Sequence, residues 1–121
     1  MTVREVYVTA AAFIGDREND DVDERDLTIP YINVLLQEAL NTENSMRMRD
    51  GERVLASAPY VTDMDDALVY HDALVRAAFP YGLAWQYHQE AGNLSLASQY
   101  RNMFIAAVES NQCFVFARNG R

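Results

Sequence analysis

The run His71–Val108, HDALVRAAFPYGLAWQYHQEAGNLSLASQYRNMFIAAV, decides the fold. From 71 to 91, Leu74, Ala77, Ala78, Tyr81, Ala84, Trp85 and His88 recur every three or four positions, which places them along one helical face. Gly92-Asn93 interrupts the pattern. Leu96, Ala97, Tyr100, Met103, Phe104, Ala107 and Val108 then resume it to about Ser110. The stretch predicts two helices joined by a tight turn. Pro80 sits inside the first of them, where a proline removes one backbone hydrogen bond and crowds the preceding turn. With Phe79 before it and Gly82 after it, a kink or a break into two helices is expected there.

On the N-terminal side, Val3, Val6, Tyr7, Ala10, Phe13 and Ile14 make another helical face over 3–14. Thr2 is placed to cap its first turn through the side-chain oxygen, and Gly15 to end it in a left-handed conformation. DRENDDVDERD, residues 16–26, carries seven acids and two Arg and reads as a solvated, self-repelling loop. It does not fit a calcium loop, because its sixth and twelfth positions are Asp21 and Leu27 where glycine and glutamate are needed. A second helix is expected from near Thr28 to about Asn44, fraying toward Met48. Pro30 falls in its first turn, where a missing amide hydrogen has no intrahelical partner to lose. Ile32, Leu35, Leu36, Ala39 and Leu40 form its buried stripe, leaving Asn33 and Glu38 at the rim or in solvent. Asp50-Gly51 marks a turn. Residues 52–70 show no helical period and read as an ordered connection with room for a short hairpin around Pro59. The tail from Gln112 alternates as an extended arm, with Cys113 and Val115 on one side and Phe114 and Phe116 on the other.

The expectation is an all-α, four-helix bundle-like domain over residues 1–111 with an irregular connection at 52–70, followed by an extended C-terminal arm at 112–121. A chain of 121 residues, half of them apolar, is long enough for one such core. No run reaches the roughly 18–20 apolar residues of a membrane span, and no secretory leader is evident, so the sequence reads as a soluble, cytosolic chain without membrane attachment.

All ten basic residues are Arg, and the formal net charge is −8. The imbalance lies in residues 1–66, with fifteen acids against six Arg, whereas 67–121 hold three acids and four Arg. Phosphate binding needs clustered cations, so direct nucleic-acid binding, sequence-specific recognition included, is disfavoured. The polarity either favours head-to-tail contacts between copies or serves solubility alone.

Catalytic chemistry is thin. His71 and His88 are the two histidines, and no HExxH pair or cysteine pair completes a metal site with either. Both read as rim or hydrogen-bonded core residues. There is no nucleophile elbow and no phosphate loop. Cys113, the single cysteine, has no base beside it in sequence and reads as a small apolar residue. Asp63, Asp65 and Asp66 precede a helix start, where carboxylates favour the positive helix end, and this reading is preferred to a metal site. Phe79, Tyr81, Trp85 and Tyr87 lie on more than one side of their helix, as core alone or as core plus a subunit interface. No enzyme activity, metal or cofactor is implied.

The pattern as a whole resembles the small head–tail connector, or adaptor, proteins of tailed bacteriophages. The resemblance rests on YINVLLQEAL in the second helix, on AAFPYGLAWQY, and on its continuation GNLSLASQYRNMF. It implies a structural virion protein that forms a homo-oligomeric ring, a dodecamer on assembly, below the portal protein. Such a ring extends the DNA channel and carries the downstream neck or tail protein; the subunit waits in the host cytoplasm before assembly. No catalytic residues carry over. Arms outside the bundle make contacts in that family, and the matching positions here are Tyr60 and Val61 in the connection and Phe114, Phe116, Arg118 and Arg121 in the tail. Large apolar side chains in such a tail, at roughly 1.5–3 kcal/mol each, must pack on their own bundle or on a partner. A different class of function remains open from charge alone: an acidic DNA-mimic inhibitor that occupies a nucleic-acid enzyme, which requires carboxylates spaced along an exposed face.

Overall fold

A computed structural model describes residues 1–15 and 22–114, with the backbone alone over 22–26. Among these residues the fold is all-α and has five helices: α1 (Val3–Ile14), α2 (Val22–Glu38), α3 (Leu40–Arg49), α4 (Asp72–Glu90) and α5 (Leu94–Ser110). α4 lies at the centre and packs against α1, α2 and α5. Its Leu74, Val75, Phe79 and Leu83 meet Ile32, Leu35 and Leu36 of α2 and Val3 and Val6 of α1 in one continuous core. None of the described helices is long and apolar enough to cross a membrane.

α1 begins and ends as its sequence predicts. The Thr2 hydroxyl accepts from the Glu5 amide at 3.2 Å, and the Glu5 carboxylate accepts from the Thr2 amide at 2.8 Å, a reciprocal capping box. The two remaining first-turn amides, Val3 and Arg4, donate to the Asp66 and Met64 carbonyls of the irregular connection at 3.1 and 2.7 Å. Every first-turn donor is thereby satisfied, half of them by a segment distant in sequence. Gly15 closes the helix at φ 81°. His88, buried on α4, bonds the Phe13 carbonyl at 2.8 Å through Nε2 and stacks on Tyr100, so it serves the open carbonyl end of α1.

Several expectations need correction. The backbone is already helical at Val22, so the loop assigned to 16–26 does not extend through its second half, and Pro30 stands inside α2 instead of in its first turn. Acidic residues at a helix start favour the positive end of the helix dipole, which a reading of self-repulsion alone overlooks. The second helix divides at Ala39, although the Leu35-to-Ala39 and Ala39-to-Glu43 backbone hydrogen bonds continue across the division at 3.0 Å each. No break occurs at Pro80: α4 is one helix, its proline buried, and packing on three neighbouring helices outweighs one missing bond.

Gly82 has another role. A Cβ there would come within 2.6 Å of Leu35 Cδ2 and 2.8 Å of Phe104 Cδ1, so the bare backbone lets α2, α4 and α5 converge. On α5, Ala97 and Phe104 are buried while Leu96 is exposed, one residue out of phase with the inward face. The aromatic group divides in the same way. Phe79 and Tyr87 are buried; Tyr81 stacks on Phe13 and Tyr100, and Trp85 packs on Phe104 with the Arg101 guanidinium 5.0 Å from its ring centre. All four have partners within the chain.

Residues 52–70 contain no hairpin. Their one ladder contact is an isolated antiparallel bridge from Ala67 to Thr2, extended by the Leu68 amide donating to the Met1 carbonyl at 2.7 Å. Asp63, Asp65 and Asp66 do not cap the helix that follows them. The Asp66 carboxylate accepts from the Thr62 and Asp63 amides at 2.8 and 3.1 Å, closing its own turn, and these bonds hold it below the ordinary carboxylate range. Asp65 pairs with Arg4 of α1 at 2.8 Å.

Candidate functional site

The irregular connection is an arm fixed to the helical body by side chains that bind its backbone. Asn33 of α2 donates to the Val61 carbonyl at 3.0 Å and accepts from the Val61 amide at 2.9 Å. Asn44 of α3 does the same to Leu55, at 2.9 and 2.8 Å. Each carboxamide offers one donor and one acceptor side by side, and so meets an extended residue as a neighbouring strand would. Arg47 adds two more bonds, to the Arg53 carbonyl at 3.2 Å and the Val69 carbonyl at 3.1 Å. The hydrogen bonds that a hairpin would have supplied come instead from α2, from α3 and from the backbone at the start of α1. Asn33, expected at the rim, is one of these clamps.

Arg47 is itself oriented by a fully buried carboxylate. Glu43 accepts from Arg47 Nε at 2.6 Å, from the His71 amide at 2.8 Å, and faces His71 Nδ1 at 3.0 and 3.1 Å. A buried charge is tolerable only when paired and hydrogen-bonded, and here one glutamate gathers the end of α3, the arm and the start of α4. The other ring nitrogen of His71, Nε2, lies 3.1 Å from Asp50 Oδ2 and 3.4 Å from Glu52 Oε1. Partial burial opposes a charge on His71, but the bonds to Glu43 and Asp50 outweigh it and raise its pKa above the ordinary 6.5. Asp50 is held down to about 2, first by its bonds to Arg49 and also by His71. Arg49 meets both Asp50 oxygens, at 2.7 and 2.9 Å.

The first residues of the tail lie along α3. Thr42 donates to the Gln112 side chain at 2.8 Å, and the Cys113 amide donates to the Ser45 hydroxyl at 2.9 Å. Cys113 Sγ receives Arg49 Nη1 at 3.4 Å, a polar contact that a purely apolar reading of this cysteine missed. Phe114 is 78 % exposed and lines a shallow cleft with Met48 and Asn44.

The predicted contact residues therefore separate. Tyr60, 77 % exposed, stands on the arm beside a cleft that includes Asp66 and Val69, whereas Phe114 belongs to the other cleft. Val61 is only 4 % exposed: its side chain joins the core and its backbone is held by Asn33, so it cannot serve as a direct contact. Phe116, Arg118 and Arg121 lie outside the described residues. The sequence reading missed Asn33, Asn44, Glu43 and Arg47. One signal was present: LNTENSMRMR offers only Leu40, Met46 and Met48 as apolar residues, too few for a continuous buried stripe, and a helix of that kind needs polar partners as well as an apolar core. No protein-family model, curated protein or solved structure matches this chain.

Proposed function

We propose that this chain is a non-enzymatic structural subunit of a phage neck, a head–tail connector that assembles as a homo-oligomeric ring against a portal protein and receives the next neck or tail protein. The observation that supports this reading is the arm. It has no regular structure, yet Asn33, Asn44 and Arg47 fix its backbone, and it holds Tyr60 outward at 77 % exposure. A contact surface already fixed before association loses less conformational entropy on binding, and tyrosine is among the residues enriched at interface centres. The Phe114 cleft on α3 offers a second apolar contact at the start of the tail.

The test is particle mass in solution, alone and with a portal protein of the same virus. The reading expects rings, or portal-dependent assembly, lost in Tyr60→Ala and in a chain lacking 112–121. A monomer that ignores the portal but binds and blocks a nuclease would overturn it in favour of the DNA-mimic class. The virion neck is then the site of action, with DNA passing through the ring lumen without sequence-specific contacts.

A further inference from the structure

We propose that His71, Asp50 and Glu52 form a binding site for a divalent transition-metal ion of the zinc class, which ties the start of the arm to α3 and α4. The ligand atoms come from three places in the fold: the turn after α3, the first residue of the arm beyond Gly51, and the residue that opens α4. His71 Nε2 is 3.1 Å from Asp50 Oδ2 and 3.4 Å from Glu52 Oε1, and the three ligand atoms all lie within 4.8 Å of one another. Zinc–nitrogen and zinc–oxygen bonds of about 2.0–2.2 Å give ligand-to-ligand separations of roughly 3.3–3.6 Å in a tetrahedral shell. The two separations from His71 are close to that range.

The carboxylate behind His71 is an independent feature of the same kind. Metal-bound imidazoles donate their second N–H to a carboxylate or carbonyl, which fixes the ring and its tautomer. Here the fully buried Glu43 occupies that position, 3.0 Å from Nδ1, and is itself fixed by Arg47 and the His71 amide. A ring protonated at Nδ1 alone directs that proton at Glu43 and leaves Nε2 open to a cation beside two carboxylate oxygens, whereas a ring protonated at both nitrogens donates from Nε2 to Asp50 instead. Nitrogen with two oxygens suits zinc and its neighbours better than calcium or magnesium. The ligand side chains are 21, 35 and 50 % exposed for His71, Asp50 and Glu52, which leaves an approach for the ion and for a water as fourth ligand. Arg49, bonded to Asp50, works against the ion through its charge. The competing occupant is a proton on Nε2, and the experiment separates the two. The inference stands independently of the assembly reading.

The tag-free chain is titrated with Zn²⁺ by calorimetry, and with Co²⁺ followed by its visible absorption, at mildly alkaline pH. One ion per chain is expected, with a rise in melting temperature that a chelator reverses. Glu52→Gln, an exposed change that keeps the fold, and His71→Ala should each weaken binding at least about tenfold, a loss of the size seen when even outer-shell partners are removed. Arg49→Gln should tighten it, and Cys113→Ser should leave it unchanged. The proposal is overturned if the intact chain shows no saturable binding of either ion. It is also overturned if Glu52→Gln and His71→Ala bind as the parent does, or if Cys113→Ser abolishes binding.

Discussion

The α4–α5 hairpin and the 52–70 arm are fixed by opposite means. The hairpin carries its apolar residues at helical spacing, and its order comes from burying Leu74, Phe79, Leu83 and Phe104. The arm has no repeating pattern. It is positioned by polar side chains of α2 and α3 and by the first backbone groups of the chain, which bind its backbone; Val61, Leu68 and Tyr70 anchor it in the core, and Leu55, Ala58 and Met64 pack against that core. Tyr70 shows both modes at once: its ring packs edge-on against Phe79, and its hydroxyl donates to the Leu36 carbonyl. Burial gives a scaffold that tolerates surface change. A clamp of single hydrogen bonds gives a shaped surface that can be altered one side chain at a time.

The largest effect should come from the hairpin's centre. Phe79→Ala removes a fully buried ring and should cost about 3–5 kcal/mol by chemical denaturation, lowering the stability of arm and helices together. Gly82→Ala should cost about 1–3 kcal/mol, because the added methyl meets Leu35 and Phe104 in a packed core. A kink-marking glycine would instead tolerate alanine or gain from it, so the same denaturation curve separates the two roles.

The clamps should behave differently. Asn44→Ala and Asn33→Ala each leave a partly buried amide and carbonyl of the arm without their partner, at about 1–2 kcal/mol each. Their mark should be early loss of protease resistance within 52–70, with the helical circular dichroism unchanged. The smallest effect is expected at Asp66. Its folded-state pKa is lowered by the Thr62 and Asp63 amides, so its contribution is present above the ordinary value of 3.8 and is lost as pH falls through the lower folded value. Asp66→Asn should therefore lower the melting temperature at neutral pH, and the difference from the parent should vanish in acid.

Periodicity made α1, α4 and α5 legible, and cap chemistry located the start and end of α1. The same reasoning failed wherever a residue acts over a long sequence distance. Asn33 meets Val61 28 positions away, and Glu43 meets His71 across the same separation; no local pattern encodes either pairing. Gly82 was read from its neighbour Pro80 as a sign of bending, when its meaning lay in Leu35 and Phe104 on other helices. The start of α2 was lost for another reason: charge repulsion and helix-end stabilisation pull the same acidic residues in opposite directions, and the sequence does not weigh them. Of the expected contact residues, Tyr60 and Phe114 are presented outward, while Val61 is a buried tie between arm and core.

Amide hydrogen exchange on the isolated chain tests most directly whether the arm is fixed before any partner arrives. The amides of Leu55, Val61 and Leu68 donate to Asn44, Asn33 and the Met1 carbonyl, at 2.8, 2.9 and 2.7 Å. All three should be protected in the free chain. Leu55 and Val61 should lose that protection in the Asn33→Ala/Asn44→Ala double variant while the α4 and α5 amides keep theirs. Exchange of the Leu55 and Val61 amides at unprotected rates in the unaltered chain would contradict the account.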